Sequence, residues 1–308
     1  MTSAACGADD LSAELQERAA LYASEDLNTR EIIMDEIQTS LKTVVPDVAA
    51  DESRLLRFLR ANEFRMKQTV DCVKAFYKYK ANNPELFTPL PLQEARDIVH
   101  SGLIGVLPGR DVQGGRVLYV RIGLWDPETT PMEDLFRLTI SLHLKLIQDP
   151  ETQIGGLRTL EDMEALSWKH VKSLSIPLMR KVSKLFEEAF PARFDGFHNM
   201  NESEAIDRLY ILIKPFLSTR LKGRNHFHGT EYAELYEYIP KENLPELYGG
   251  SVTDRQIQDF TMSLLRDYKG DDFGEGGTVK IAKTEDKIAS ATMVSDSTYG
   301  SYRRVDPS

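Results

Sequence analysis

The chain has 308 residues, a formal charge of −10, 41% hydrophobic and 28% charged residues, and two cysteines. This is the composition of an ordinary globular protein with room for one large domain or two modest ones, and its acidic excess excludes general nucleic-acid binding, which needs a basic surplus to displace counterions. Cys6 and Cys72 form no disulfide framework, which points to a reducing compartment; no run reaches the ~20 apolar residues of a spanning helix, and Met1 to Leu11 lacks a basic-then-apolar leader.

Residues 1–10 are small and polar and are expected to be unordered. From Leu11 the apolar spacing is helical: Leu11, Leu15, Ala19 and Tyr22, then Ile32, Ile33, Ile37, Leu41 and Val44, with Asn28 as the expected cap of the second helix. Asp51 is placed to cap a helix carrying Leu55, Leu56, Phe58 and Leu59, and Val70, Val73, Phe76 and Tyr77 mark another. Residues 11–90 therefore read as an all-α bundle, closed by Pro84, Pro89 and Pro91.

Beyond Leu92 strands alternate with helices. Strands are predicted over 116–122, 157–165, 194–200 and 225–228, with helices opened by Pro131 and Pro177 between them and a last helix around Ile257 to Leu265. Strands separated by helices call for a mostly parallel sheet, so residues 91–269 read as an α/β domain; residues 270–308 turn to Gly, Ser, Thr, Asp and Lys and are expected to be unordered.

One stretch stands out. Leu209 to Ile213 is apolar around the whole helical circumference, and from Arg208 to Arg224 there are five cations and no acid. Such a helix must bury two faces, either inside a core or as a lid that closes a pocket and enters a membrane when open; Pro215 would let it bend. Arg193, Lys214, Arg220, Lys222 and Arg224 then form a basic patch fit for an anionic bilayer or, alternatively, a solvated face that pairs with nearby acids.

No Walker loop, Gly-x-Gly-x-x-Gly, nucleophile elbow or Cys-x-x-Cys occurs, so no catalytic step, metal or cofactor is expected. His226-x-His228 places two imidazoles on one strand face, but lacks a third ligand at suitable spacing.

Arg54-Leu55-Leu56-Arg57-Phe58-Leu59-Arg60-Ala61, Trp125-Asp126-Pro127, Glu151-Thr152-Gln153, Phe190-Pro191-Ala192-Arg193-Phe194, Lys214-Pro215-Phe216-Leu217, His228-Gly229 and Tyr248-Gly249-Gly250 resemble the CRAL-TRIO (Sec14-like) family. The likeness is to its animal branch of retinaldehyde-binding, tocopherol-transfer and clavesin proteins. It implies a helical N domain before an α/β lipid-binding domain with a mostly parallel sheet and a mobile lid helix. It also implies a non-enzymatic monomer that carries a hydrophobic ligand such as a retinoid, tocopherol or phospholipid, is cytoplasmic and peripherally membrane-bound, with endosomes as one location, and docks on anionic or phosphoinositide membrane. An adaptor that reads phosphoinositides and uses its pocket ligand as a regulator is the alternative.

On that resemblance the expected pocket walls are Phe136, Thr139, Ile140 and His143 on one helix and Leu157, Thr159 and Glu161 on the central strand. Lys181, Val182, Leu185, Phe186 and Phe190 come from the next helix, Phe194 and Phe197 from the next strand, and Ile206, Tyr210 and Ile213 from the lid. Glu161 falls on a pocket glutamate of the retinaldehyde-binding members and Lys181 on a pocket-region lysine; the two either pair with each other or face a polar end of the ligand. Where the tocopherol-transfer members carry a small hydroxyl residue this chain has His143. Arg220 and Arg224 match phosphoinositide-contacting positions, whereas Asp195 and Asn62 replace basic ones.

Overall fold

The computed structural model describes residues 11–202, 223–270 and 272–273. Its first part is helical: α1 Ala13–Ala23, α2 Arg30–Leu41, α3 Pro46–Ala49, α4 Glu52–Ala61, α5 Met66–Asn82 and α6 Pro84–Phe87. Caps set the starts. Asp51 accepts the Arg54 backbone N–H at 3.0 Å and Ser12 that of Leu15 at 3.3 Å, each satisfying an otherwise orphaned donor. Asn28 does not cap α2; its backbone N–H and side-chain amide both bond Asp26 at 2.9 Å, and the helix follows Thr29.

The Arg-Leu-Leu-Arg-Phe-Leu-Arg run on α4 buries its cations as well as its leucines. Arg60, 2% exposed, reaches Glu25 at 2.8 Å and Gln153 at 2.7 Å, so it ties the bundle to the segment before the central strand. A buried guanidinium is tolerated when carboxylate and amide oxygens meet its N–H groups.

The α/β part follows as α7 Leu92–His100, β1 Ile104–Arg110, β2 Arg116–Arg121, α8 Met132–Leu146, α9 Pro150–Gly155, β3 Leu157–Asp162, α10 Trp168–Ser173, α11 Ile176–Lys184, β4 Phe194–Met200, β5 Asn225–Phe227 and α12 Asp254–Asp267. The sheet order is β1-β2-β3-β4-β5, with β1 antiparallel to β2 and the other neighbours parallel. Strand β1 was not foreseen, because Pro108-Gly109 reads as a breaker. An edge strand tolerates both residues, since its outer groups need no ladder partner.

Each sheet face has its own apolar layer. Val106, Leu118, Leu157 and Phe194 point to α8 and α11 and join the core of the bundle, while Leu107, Val117, Tyr119, Leu160 and Met200 point to the segment running through Leu235, Ile239, Leu244 and Tyr248. Helices α8 and α11, from the β2–β3 and β3–β4 connections, put Leu138, Ile140, Leu178 and Val182 into the first layer, which leaves the other face to this C-terminal cover.

Residues 270–308 were expected to be unordered, yet Asp272 and Phe273 are docked. Phe273 is fully buried, with ring centroids 4.9 Å from Phe76 and 5.6 Å from Phe58. One aromatic and one acid in a polar tract carry no periodic signal, so the anchor was invisible to pattern reading.

Candidate functional site

The site lies on the sheet face that looks toward α8 and α11. Strict alternation would set Phe194 and Phe197 on opposite faces of β4, but the ladder slips by one residue: Leu157 pairs with Phe194, Arg158 with Gly196 and Thr159 with Phe197. Asp195 is thus a bulge residue, and both phenyl rings turn to one side, stacked with centroids 6.2 Å apart at 19°.

The bulge is pinned. Arg193 bonds Asp195 at 2.8 Å and donates to the carbonyls of Ile154, at 3.0 Å, and Tyr22. Gly156 is needed opposite: its φ is +83°, and a Cβ there would lie 2.1 Å from an Asp195 oxygen. Arg193 is therefore removed from the expected membrane patch. It is 5% exposed, and its donors are spent on holding β4 to α1 and α9.

Helix α11 ends in a wide π-type turn over Leu185–Ala189, closed by Phe190 N–H to the Leu185 carbonyl at 2.9 Å. The wide turn presents Phe186 and Phe190 together, 5.1 Å apart, to the same aromatic group. At its centre stands His143 of α8, with ring centroids 5.3 Å from Phe186, 5.5 Å from Phe194 and 6.0 Å from Phe190. Its Nδ1 lies 2.8 Å from the Thr139 carbonyl, and its Nε2 is buried with no partner among the described residues. Burial, partly opposed by the Thr139 bond, holds its pKa down to about 4.

Thr159 and Glu161 share this face. Glu161 sits in register between Val120 and Asn199, half-buried and with no hydrogen bond or ion pair among the described residues. Burial pushes its pKa up to about 7. Of the two alternatives for Glu161 and Lys181, the pairing is not formed. Lys181 turns outward from α11 to Glu85, Nζ to Oε1 3.1 Å, where both groups reach solvent and their long side chains keep their charges hydrated.

Ile140, Leu157, Val182, Leu185, Phe190 and Phe194 are buried together in the layer, and Phe136, Phe186 and Phe197 pack partly exposed against it. Ile206, Tyr210 and Ile213 of the expected lid, with Lys214, Arg220 and Lys222, lie outside the described residues. Arg224 donates to the Phe194 carbonyl and borders a crevice of about 40 Å³ with Asn62, Cys72, Phe186, Glu187 and Glu188. The two acids share that rim with the guanidinium.

On the opposite face lies a buried relay that sequence reading did not assemble. Asp111 and Arg158 pair at 3.0 Å, Arg158 meets His198 Nε2 at 2.8 Å, His198 Nδ1 meets His228 Nε2 at 2.9 Å, and His228 Nδ1 meets Glu234 at 2.9 Å. Because a guanidinium only donates, His198 must accept at Nε2 and donate at Nδ1, and both imidazoles are neutral. Burial, and then the Arg158 charge beside it, holds His198 down to about 2. The His198 and His226 rings stack 4.8 Å apart, a sandwich and not a convergent ligand set; no group of three metal-ligating side chains occurs among the described residues. His226 and His228 were visible as a pair, but their partner His198 is 30 residues from His228 and only the β4–β5 ladder brings it there.

The sheet face toward α8 and α11 is lined by aromatic and aliphatic side chains, and its polar points are an imidazole nitrogen and a carboxyl that meet no partner among the described residues, the kind of lining that a site for an apolar molecule needs. The chain belongs to the CRAL/TRIO domain family, whose match covers residues 100–250. It is a family of lipid-binding and transfer proteins, not of enzymes.

The chain is 30% identical over 263 residues to Clavesin-1 of Pongo abelii, covering 83% of this chain and 73% of that one. It is 30% identical over 215 residues to the alpha-tocopherol transfer protein-like protein of Mus musculus, covering 70% of this chain and 63% of the relative's length. The crystal structure of Sfh5 shares the fold, with a TM-score of 0.51 at 14% identity over 76% of this chain and 92% of that one.

Proposed function

We propose that this protein binds one hydrophobic small molecule or lipid on the α8 face of its sheet and carries it between membranes. The observation that supports this most is the grouping of His143, Phe186, Phe190, Phe194 and Phe197 over Leu157 and Thr159. A purely structural core would have no use for an unsatisfied imidazole nitrogen at its centre. Family membership and the names of the relatives point the same way.

Docking is assigned to the basic run Lys214 to Arg224 on an anionic membrane surface, where each cation contributes about 1 kcal/mol. No helix among the described residues is long and apolar enough to cross a membrane, so contact is peripheral in this reading. Phosphoinositide selectivity has less behind it, since Arg193 is buried and Glu187 and Glu188 stand beside Arg224.

Native mass spectrometry of the purified protein tests the reading. A stoichiometric hydrophobic passenger that moves from donor to acceptor vesicles is expected, and a protein that takes up no lipid rules it out. Arg220→Ala with Arg224→Ala should lower flotation with anionic vesicles; unchanged flotation removes the docking assignment.

A further inference from the structure

His143 is 3% exposed and its ring is fixed in one state. The Thr139 carbonyl 2.8 Å from Nδ1 only accepts, so Nδ1 carries the hydrogen and Nε2 is left as a lone-pair acceptor. The flanking groups offer it nothing: Phe186, Phe190 and Phe194 surround the ring and have no N–H or O–H, and the Thr139 hydroxyl is spent on the Leu135 carbonyl at 2.8 Å. Nε2 is consequently a buried acceptor without a partner among the described residues.

We infer that the ligand of this site carries a hydroxyl or N–H that donates to His143 Nε2, so that His143 selects alcohols, phenols or amides over their ether, ester and aldehyde counterparts. This rests on the lipid-binding reading above and adds the chemistry of the ligand's polar end. An apolar ligand, or one with only acceptors at that end, leaves Nε2 unmet or sets two lone pairs against each other; a donor satisfies it. A neutral hydrogen bond in a dry site, set against an unpaired acceptor, is worth roughly ten-fold or more in affinity. The low pKa of the ring, about 4, keeps Nε2 an acceptor through the physiological range.

The test offers the full chain a total membrane lipid extract and the same extract after acetylation, which turns hydroxyls into esters without a donor and leaves acylated amines with an amide N–H. Native mass spectrometry should show retained species bearing a free O–H or N–H, with at least ten-fold less retained, once acetylated, of any lipid whose only donors were hydroxyls, and His143→Leu should erase that preference. Imidazole nitrogen NMR on the unsubstituted protein reads the contact directly even where the variant does not fold: loading should shift the His143 Nε2 resonance in the direction of an accepted hydrogen bond. Retention of species without any donor, equal retention of O-acetylated lipid that has no N–H, discrimination surviving in a folded His143→Leu, or an Nε2 resonance unmoved by a bound lipid overturns the inference and leaves the carrier reading standing. Failure to retain lipid from either extract overturns both.

Discussion

Arg57 grips Asp272 with both terminal nitrogens, Nη1 to Oδ1 at 2.7 Å and Nη2 to Oδ2 at 2.6 Å, and so clamps α4 to a segment 215 residues later in the chain. The next residue, Phe273, fills the aromatic centre of the bundle, and its carbonyl accepts the Tyr77 hydroxyl at 2.9 Å. The chain after α12 is thus fastened back onto the N-terminal helices. Although burial opposes it, the Arg57 guanidinium helps to hold the Asp272 carboxyl below its usual range.

Phe273→Ala should therefore destabilise the protein by about 3–5 kcal/mol, the usual loss for a fully buried phenylalanine, read from urea midpoints. Asp272→Ala should lose less, about 1 kcal/mol, since its side chain is 38% exposed and solvent screens the pair. A chain ending at Gly270 should match Phe273→Ala; full stability in that truncation would show that the anchor contributes little.

The relay on the opposite face predicts strong coupling. Arg158→Met leaves Asp111 buried without its cation and His198 Nε2 without its donor, so a loss of about 3–5 kcal/mol is expected. Adding Asp111→Asn to that variant should recover part of the loss, because the uncompensated charge is gone. A double-mutant cycle that comes out additive would disprove the coupling.

Asp195 stood out in the sequence only as an acid in a basic stretch. Structurally it is the bulge residue that lets Phe194 and Phe197 share the ligand face. Deleting it should leave Phe194 and Phe197 two positions apart on one face of a bulge-free strand and so preserve lipid retention in a folded variant; Asp195→Asn should keep the register and lose about 1–3 kcal/mol through the weakened Arg193 contact. Loss of lipid retention in a folded deletion variant would refute this account of the bulge.

The strands 116–121 and 194–200, the helix opened at Pro131 and the aromatic wall were legible because each rests on local periodicity or a local breaker. Phe186, Phe190 and Phe194 could be named from sequence for the same reason, with the family pattern to place them. What stayed hidden depends on contacts far apart in the chain or on a single inserted residue. Arg193 looked like surface charge until Tyr22 and Ile154 supplied its acceptors, Lys181 looked like a pocket cation until Glu85 claimed it, and the Asp195 bulge reverses a face that strict alternation would assign wrongly.

Stability against pH should reflect His143, His198 and Glu161 most, with His226, also held down by burial, acting in the histidines' sense. As pH falls through 6.5 the unfolded chain protonates its histidines, while folded His143, near 4, and His198, near 2, do not follow, so each lowers stability by about 1.4 kcal/mol per pH unit until its folded pKa is reached. Glu161 acts in the opposite sense. With a folded pKa of about 7 it holds a proton that the unfolded carboxyl has released, so its contribution is complete below about 4.5 and is lost as pH rises toward 7. Between 6.5 and 4.5 two histidines outweigh one carboxyl, and the protein should weaken with acid by about 1.4 kcal/mol per unit from these groups. Glu161→Gln removes the opposing contribution and should steepen the slope by about 1.4 kcal/mol per unit, whereas His143→Leu should make it shallower by about the same amount. Urea midpoints measured from pH 4.5 to 8 separate the three proteins, and a Glu161→Gln curve parallel to the parent would mean that the carboxyl is ionised in the folded state.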